Sequence, residues 1–192
     1  KGPAILLLHG YPQTHIMWRK IADILSKNFT VICSDLRGYG DSDKPVSDKK
    51  HFTYSKATMA SDQHKLMKKL GFKNYYLVGH DRGARVAHRM SLNYSNIMKV
   101  VFFTEGGGGR PGDVDADELN NSWLDLKTFT TWPQINGVAP RIAVNSGRCF
   151  AGNAVIFGCA DITIATKNSN IGLAGPAMIE HGGLGKYKPE DI

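Results

Sequence analysis

"GHDRGAR", residues 79–85, decides how the rest of the chain is read. It has the frame glycine, any residue, nucleophile, any residue, glycine, in which a strand turns sharply into a helix and lifts one side chain above the sheet. Serine usually occupies the centre; here it is Asp81. Glycine at 79 and 83 permits the tight backbone crossing, and the helix that begins beside Asp81 offers backbone N–H groups that favour an anion. A serine needs a base to activate it, whereas a carboxylate is already ionised at pH 7. It can attack an sp3 carbon carrying a leaving group to give an alkyl-enzyme ester. Hydrolysis of that ester calls for an activated water and an oxyanion hole at the aspartate's own carbonyl. The N–H groups of Arg82 and Tyr11 are placed to form it.

The neighbouring sequence supplies the sheet that such a turn requires. "AILLL" (4–8), "FTVIC" (29–33), "YYLV" (75–78) and "VVFF" (100–103) are short apolar runs of the buried parallel-strand type. "IMWRKIADILSK" (16–27), "YSKATMASDQHKLMKKLG" (54–71) and "GARVAHRMSL" (83–92) have helical spacing, with Ser55 as a cap and Gly71 as a stop. Strands alternating with helices give an α/β fold with right-handed crossovers. Beyond Phe103 the texture changes. Four consecutive glycines and an acidic loop precede "RIAVNS" (141–146), "GRCFAGNAVIFG" (147–158) and "DITIA" (161–165), which read as strand, glycine turn into helix, and strand.

Bulk properties exclude several function classes. The 192 residues, 42% hydrophobic and 21% charged, suit a globular chain. No apolar run reaches the roughly 18–20 residues that cross a bilayer. The chain opens directly into a strand without an initiator Met or a leader, and so reads as truncated at its start. Its net charge of +7 is dispersed, densest at Lys44–Lys50 and Lys65–Lys73, without the aromatic-interleaved stripe of a nucleic-acid binder. Cys33, Cys149 and Cys159 lack C-x-x-C spacing, which points to a reduced, cytoplasmic protein without disulfides. The seven histidines show no zinc-ligand spacing, so no metal is expected.

Arg82 and Arg85, three apart on the nascent helix, can share one face and hold a substrate carboxylate through charge-assisted bonds. The same spacing also suits a solvated helix face continued by Arg89.

"LLLHGYPQTHIMW" (6–18), "DLRGYGDSDKP" (35–45) and "GHDRGARVAHRM" (79–90) together resemble the haloacetate (fluoroacetate) dehalogenases of the α/β-hydrolase fold, in order and in spacing, over residues 1–103. The resemblance implies Asp81 as nucleophile, Arg82 and Arg85 as the clamp on the substrate carboxylate, and His9, Gly10 and Tyr11 as the oxyanion loop. It implies a small haloacid substrate and no cofactor. Related epoxide hydrolases and haloalkane dehalogenases also use aspartate but commonly place Trp where this chain has Arg82. The family's cap follows the strand at 100–103, and its triad histidine lies near its C-terminus; neither motif is recognisable here. His181 follows Asp81 in the permitted order but sits in a segment that matches another family.

That second family is seen in "TEGGGGRPGD" (104–113), "SGRCFAGNAVIFGCADITIAT" (146–166) and "NIGLAGPAMIEHGGLG" (170–185). These resemble the carboxyltransferase domain of biotin-dependent acyl-CoA carboxylases, of crotonase-type fold. The resemblance implies an acyl-CoA substrate, biotin on a carrier partner, and oxyanion donors at Gly107, Gly108, Ala151 and Gly152. The expected fold class is therefore α/β, the N-terminal half of an α/β-hydrolase parallel sheet joined to a crotonase-like ββα segment. The seam falls within Lys99 to Thr104, giving units 1–103 and 104–192. Natural fusions join complete domains through linkers, so a join through two cores reads as a chimera of two fragments. "RIAVNS" and "DITIA" are expected to pair.

Overall fold

The computed structural model describes residues 2–94, 99–106, 131–137, 140–150 and 152–188. Apolar runs and helical segments alternate as the pattern requires. Strand β1 (Ala4–Leu8) leads through a single turn of 3-10 helix to α1 (Arg19–Leu25), then β2 (Thr30–Ser34) and α2 (Lys56–Lys69). Next come β3 (Tyr76–His80), α3 (Arg82–Asn93) and β4 (Lys99–Gly106). The remainder holds β5 (Arg141–Phe150), α4 (Gly152–Gly158), β6 (Ile162–Ala165), β7 (Asn170–Gly172) and α5 (Pro176–His181).

The strands form one parallel sheet in the order β2-β1-β3-β4-β5-β6, with β7 also pairing with β5. Parallel strands require crossovers, so each helix that follows a strand starts at the sheet's carboxyl edge. Ser55 caps α2 as expected, its Oγ accepting the Thr58 N–H at 3.1 Å. Gly71 follows the helix with φ of +85°, the left-handed conformation of a helix stop.

The sheet crosses the expected seam without interruption. β4 pairs with β3 from Tyr76↔Lys99 to His80↔Phe103 and with β5 from Val100↔Arg141 to Thr104↔Asn145. Strands 141–146 and 161–165 do pair, Ile142 facing Ile162 and Asn145 facing Ala165. One local expectation is corrected. The glycine turn expected from residue 147 lies inside β5, because Gly147 at φ +90° bends the strand without ending it. Before the bend β5 pairs with β6; after it, Arg148–Phe150 pair with β7.

Leu6, Leu8, Met67, Leu77, Val86 and Met90 are fully buried in the main core. Burying such side chains stabilises the fold by about 1.5–3 kcal/mol each. Trp132 and Ile135, beyond the seam, are buried in this same core. A smaller cluster of Ala143, Cys149, Ala154 and Phe157 lies between β5 and α4.

Candidate active site

Asp81 stands between β3 and α3, at the carboxyl edge of the sheet, as the glycine frame requires. Its φ of 49° and ψ of −113° put a non-glycine residue in a sparsely populated region, which costs on the order of 1–3 kcal/mol unless the surroundings impose it. They do. A Cβ at Gly83 would lie 2.3 Å from the Leu8 carbonyl oxygen, and one at Gly79 would lie 2.6 Å from that of Gly83. Only bare backbone lets the first turn of α3 press against the end of β1.

That contact brings the loop after β1 onto the nucleophile. The Tyr11 N–H donates to Asp81 Oδ2 at 2.8 Å. Gly10 is equally tight, since a Cβ there would meet Asp81 Cβ at 2.6 Å. The carboxylate oxygen that accepts the Tyr11 N–H is the one that would carry negative charge when water adds to an ester at Asp81. Arg82 opens α3, so its N–H has no acceptor within the helix, as a second oxyanion donor would require.

His9 holds this loop from behind. It is fully buried, its Nε2 accepts the Leu36 N–H at 2.9 Å and its Nδ1 donates to the Gly10 carbonyl at 2.8 Å. Burial pushes its pKa down, against the opposing effects of the Gly10 carbonyl and Asp35, and an Nε2 that accepts an N–H carries no proton of its own. With both nitrogens engaged, His9 offers a substrate no atom; its part is to position Gly10 and Tyr11. Asp35, buried at the end of β2, ties the next turns together. It accepts the His15 N–H at 2.6 Å, the His15 ring at 2.8 Å and the Asp41 N–H at 3.0 Å. Burial works to raise its pKa, but these donors outweigh it and hold the carboxylate below its usual range. His9 was expected in the oxyanion loop but not as its buried pin, and the Asp35 node was not singled out from sequence, although both lie within the quoted motifs.

α3 buries Gly83, Ala84, Val86, Ala87 and Met90. Its opposite face leaves Arg82 and Arg85 exposed beside Asp81. The Arg82 guanidinium lies 5.0 Å from the centre of the Tyr11 ring, a cation–π contact that fixes it over the oxyanion loop. Asp81, Tyr11, Gly10 and Arg82 are thus brought together, and Arg85 follows one turn along α3, its N–H donating to the Asp81 carbonyl at 3.3 Å. Among the described residues no histidine hydrogen-bonds to Asp81. His15 is held by Asp35, His64 stacks on Tyr94, and His181 ends α5 in solvent. Gly107, Gly108 and Ala151 lie outside the described residues; Gly152 is the first residue of α4. Among the described residues there is no group of three metal-ligating side chains, and no helix is long and apolar enough to cross a membrane.

A family model described as the alpha/beta hydrolase fold matches residues 3–141. The fluoroacetate dehalogenase of a Burkholderia species is 56% identical over 97 residues, covering 50% of this chain and 32% of that protein. A proposed epoxide hydrolase from Pseudomonas aeruginosa superposes with a TM-score of 0.61 at 25% identity, covering 96% of this chain and 89% of that one. A single-chain, multi-domain long-chain acyl-CoA carboxylase is 49% identical over 56% of this chain and 10% of its own, with a TM-score of 0.47, too low to support an argument about shape. The chain spans about a third of the length of the curated relatives it matches.

Proposed function

The chain belongs to the alpha/beta hydrolase fold family, and on that premise we propose that it carries the nucleophile centre of a haloacetate-dehalogenase-type hydrolase. In this reading Asp81 displaces halide from the α-carbon of a small haloacid. One carboxylate oxygen forms the new C–O bond, the carbon–halogen bond breaks, and halide leaves with the electron pair. The Tyr11 and Arg82 N–H groups then stabilise the oxyanion formed when water adds to the ester. Arg82 and Arg85 hold the acid's own carboxylate.

The observation that carries the reading is the Tyr11 N–H seated on Asp81 Oδ2 at 2.8 Å, in a turn whose backbone is over-determined. The 56% identity to a fluoroacetate dehalogenase supports the substrate class, as does arginine at position 82, where epoxide hydrolases commonly place Trp. With no histidine on Asp81 among the described residues, the ester is expected to persist once formed.

Incubation with chloroacetate, followed by intact-mass and peptide-mass analysis, tests this. The expected result is one carboxymethyl group on the 79–85 peptide and one equivalent of halide, both absent from Asp81→Ala. No adduct, or one elsewhere, would overturn the proposal. Halide release continuing past one equivalent and abolished by Asp81→Ala would keep the nucleophile but show a base that the described residues do not contain.

A further inference from the structure

The sheet ends differently at its two edges. At β2 every residue is partly covered, whereas at β6 every residue is exposed. The exposure runs on through the flanking residues, from Asp161 to Asn168. Among the described residues β6 pairs only with β5, so its outer side turns backbone N–H and C=O groups to solvent. Such an edge is a template for one more strand, and proteins blunt it with lysine, proline or a bulge. "ITIA" carries no lysine or proline, and its register with β5 is unbroken.

The segment "DITIATK" (161–167) is also complementary to itself. Two copies related by a two-fold axis run antiparallel. With the axis at Ile164, Asp161 faces Lys167 of the second copy, Ile162 faces Thr166, Thr163 faces Ala165, and Ile164 faces its own counterpart. Opposite charges meet at both ends. Alternation along a strand puts Ile162 and Ile164 of both copies on one face, where side chains now 51% and 49% exposed would cover each other. Asp161 already accepts from Arg141, but a carboxylate has about four acceptor sites, and its side chain is still 39% exposed. Among the described residues Lys167 has no carboxylate bonded to it. Pairing β6 with β2 of another copy would instead run head to tail into an open filament, and β2 is the covered edge.

We propose that β6 is a self-association surface, through which two copies of this chain join as antiparallel strands centred on Ile164 into one continuous sheet. The proposal is independent of the chemistry at Asp81. A contact confined to one short strand edge falls below the roughly 1,000 Å² of a permanent interface, so the dimer is weak and forms only at high protein concentration.

Sedimentation equilibrium of the full chain from about 5 to 500 µM tests this, since a small interface associates only toward the upper end. The average mass should rise from one chain toward two and no further. Lys167→Glu sets a like charge against Asp161 at both ends of the pair and should weaken association about tenfold, with circular dichroism confirming an unchanged fold. Cross-linking reads the register. Residues facing each other across the axis lie about 4.5–5.5 Å apart at Cα, within disulfide reach, whereas the two copies of residue 162 would lie about 13 Å apart. With the exposed Cys159 replaced by Ser, Ile164→Cys should therefore form a disulfide-linked dimer on oxidation, and Ile162→Cys should not. A single-chain mass throughout, a mass that climbs past two chains, association untouched by Lys167→Glu, or equal cross-linking from positions 162 and 164 would each overturn the proposal.

Discussion

At β3 the sheet is buried on both faces and the turns after β1, β2 and β3 are tied to one another. His9 links the β1 loop to the turn after β2, Tyr11 caps Asp81, and Gly83 presses on Leu8 and His9. At the far edge, β6 has all four residues exposed, and Ile162, Ile164, Leu173 and Leu184 face solvent. Both regions are parallel strands with a helix or loop beside them. They differ in how many independent contacts fix each backbone position. Where contacts are redundant, a strained φ at Asp81 can be held and a nucleophile aimed. Where a strand has neighbours on one side only, there is little to hold a catalytic geometry.

The sharpest way to break that contrast is to fill the crossing at the rigid end. Gly83→Ala puts a methyl 2.3 Å from the Leu8 carbonyl and 2.5 Å from that of His9. Neither backbone can yield without moving β1, so the expected loss is about 3 kcal/mol or more, read as a drop in the urea midpoint. A loss below about 1 kcal/mol would mean that the crossing is loose and Asp81 is not held as argued.

His9→Ala is next in size. It leaves the Leu36 N–H and the Gly10 carbonyl buried without partners, which costs about 2–4 kcal/mol for the two groups together. If the ring acts by position, the variant should also lose alkylation at Asp81 faster than it loses stability. His9→Gln, which can bridge the same two groups in part, should recover some of both. Recovery of stability without alkylation would separate the two roles.

These two residues show what the sequence made legible. Asp81 at a strand-to-helix turn followed from "GHDRG", because glycines two before and two after a carboxylate leave few other shapes. The parallel strands followed from unbroken apolar runs. The β5 bend did not. Gly147 looked like a strand terminator, and only the presence of β7, whose "NIG" is too short to stand out, turns it into a change of pairing partner. Nor could sequence reading place Trp132 and Ile135 in the core of the first half, since their burial depends on a contact with α3 that no local pattern encodes.

Within the less constrained region, one link does resemble those at β3. Arg141 at the start of β5 donates to both oxygens of Asp161, from Nη2 at 2.8 Å and Nε at 3.1 Å, while its backbone N–H reaches Asp161 Oδ2 at 2.8 Å. The side-chain bonds from Arg141, then its backbone N–H, hold the Asp161 carboxyl at about 2, against an ordinary 3.8. The folded pKa is depressed, so this contribution to stability is complete above pH 3.8 and is lost as pH falls through about 2. The Arg141 amide proton, followed by NMR through an acid titration, should shift with a midpoint near 2, and Asp161→Asn should abolish the step. A midpoint near 3.8 would remove this clamp from the comparison and leave the β5–β6 pair held by its ladder alone.

The smallest effect belongs to β6, and it probes the contrast from the other side. Ile164 is 49% exposed and Ile162 51%. A side chain half in water has already given up much of the stabilisation that burial would bring, so replacing it forfeits little. Ile164→Lys keeps a long aliphatic stem along the strand and places its ammonium in solvent. The backbone ladder to Val144 is unchanged, since pairing is made by N–H and C=O groups. The expected change in unfolding free energy is within about 0.5 kcal/mol, the usual range for a surface substitution. A charge on a bare strand edge also discourages edge-to-edge association, so light scattering at high protein concentration should fall relative to wild type. If Ile164→Lys instead costs more than about 2 kcal/mol in a urea melt, the isoleucine is packed in solution. β6 would then be as constrained as β3, and the contrast between the two regions would be lost.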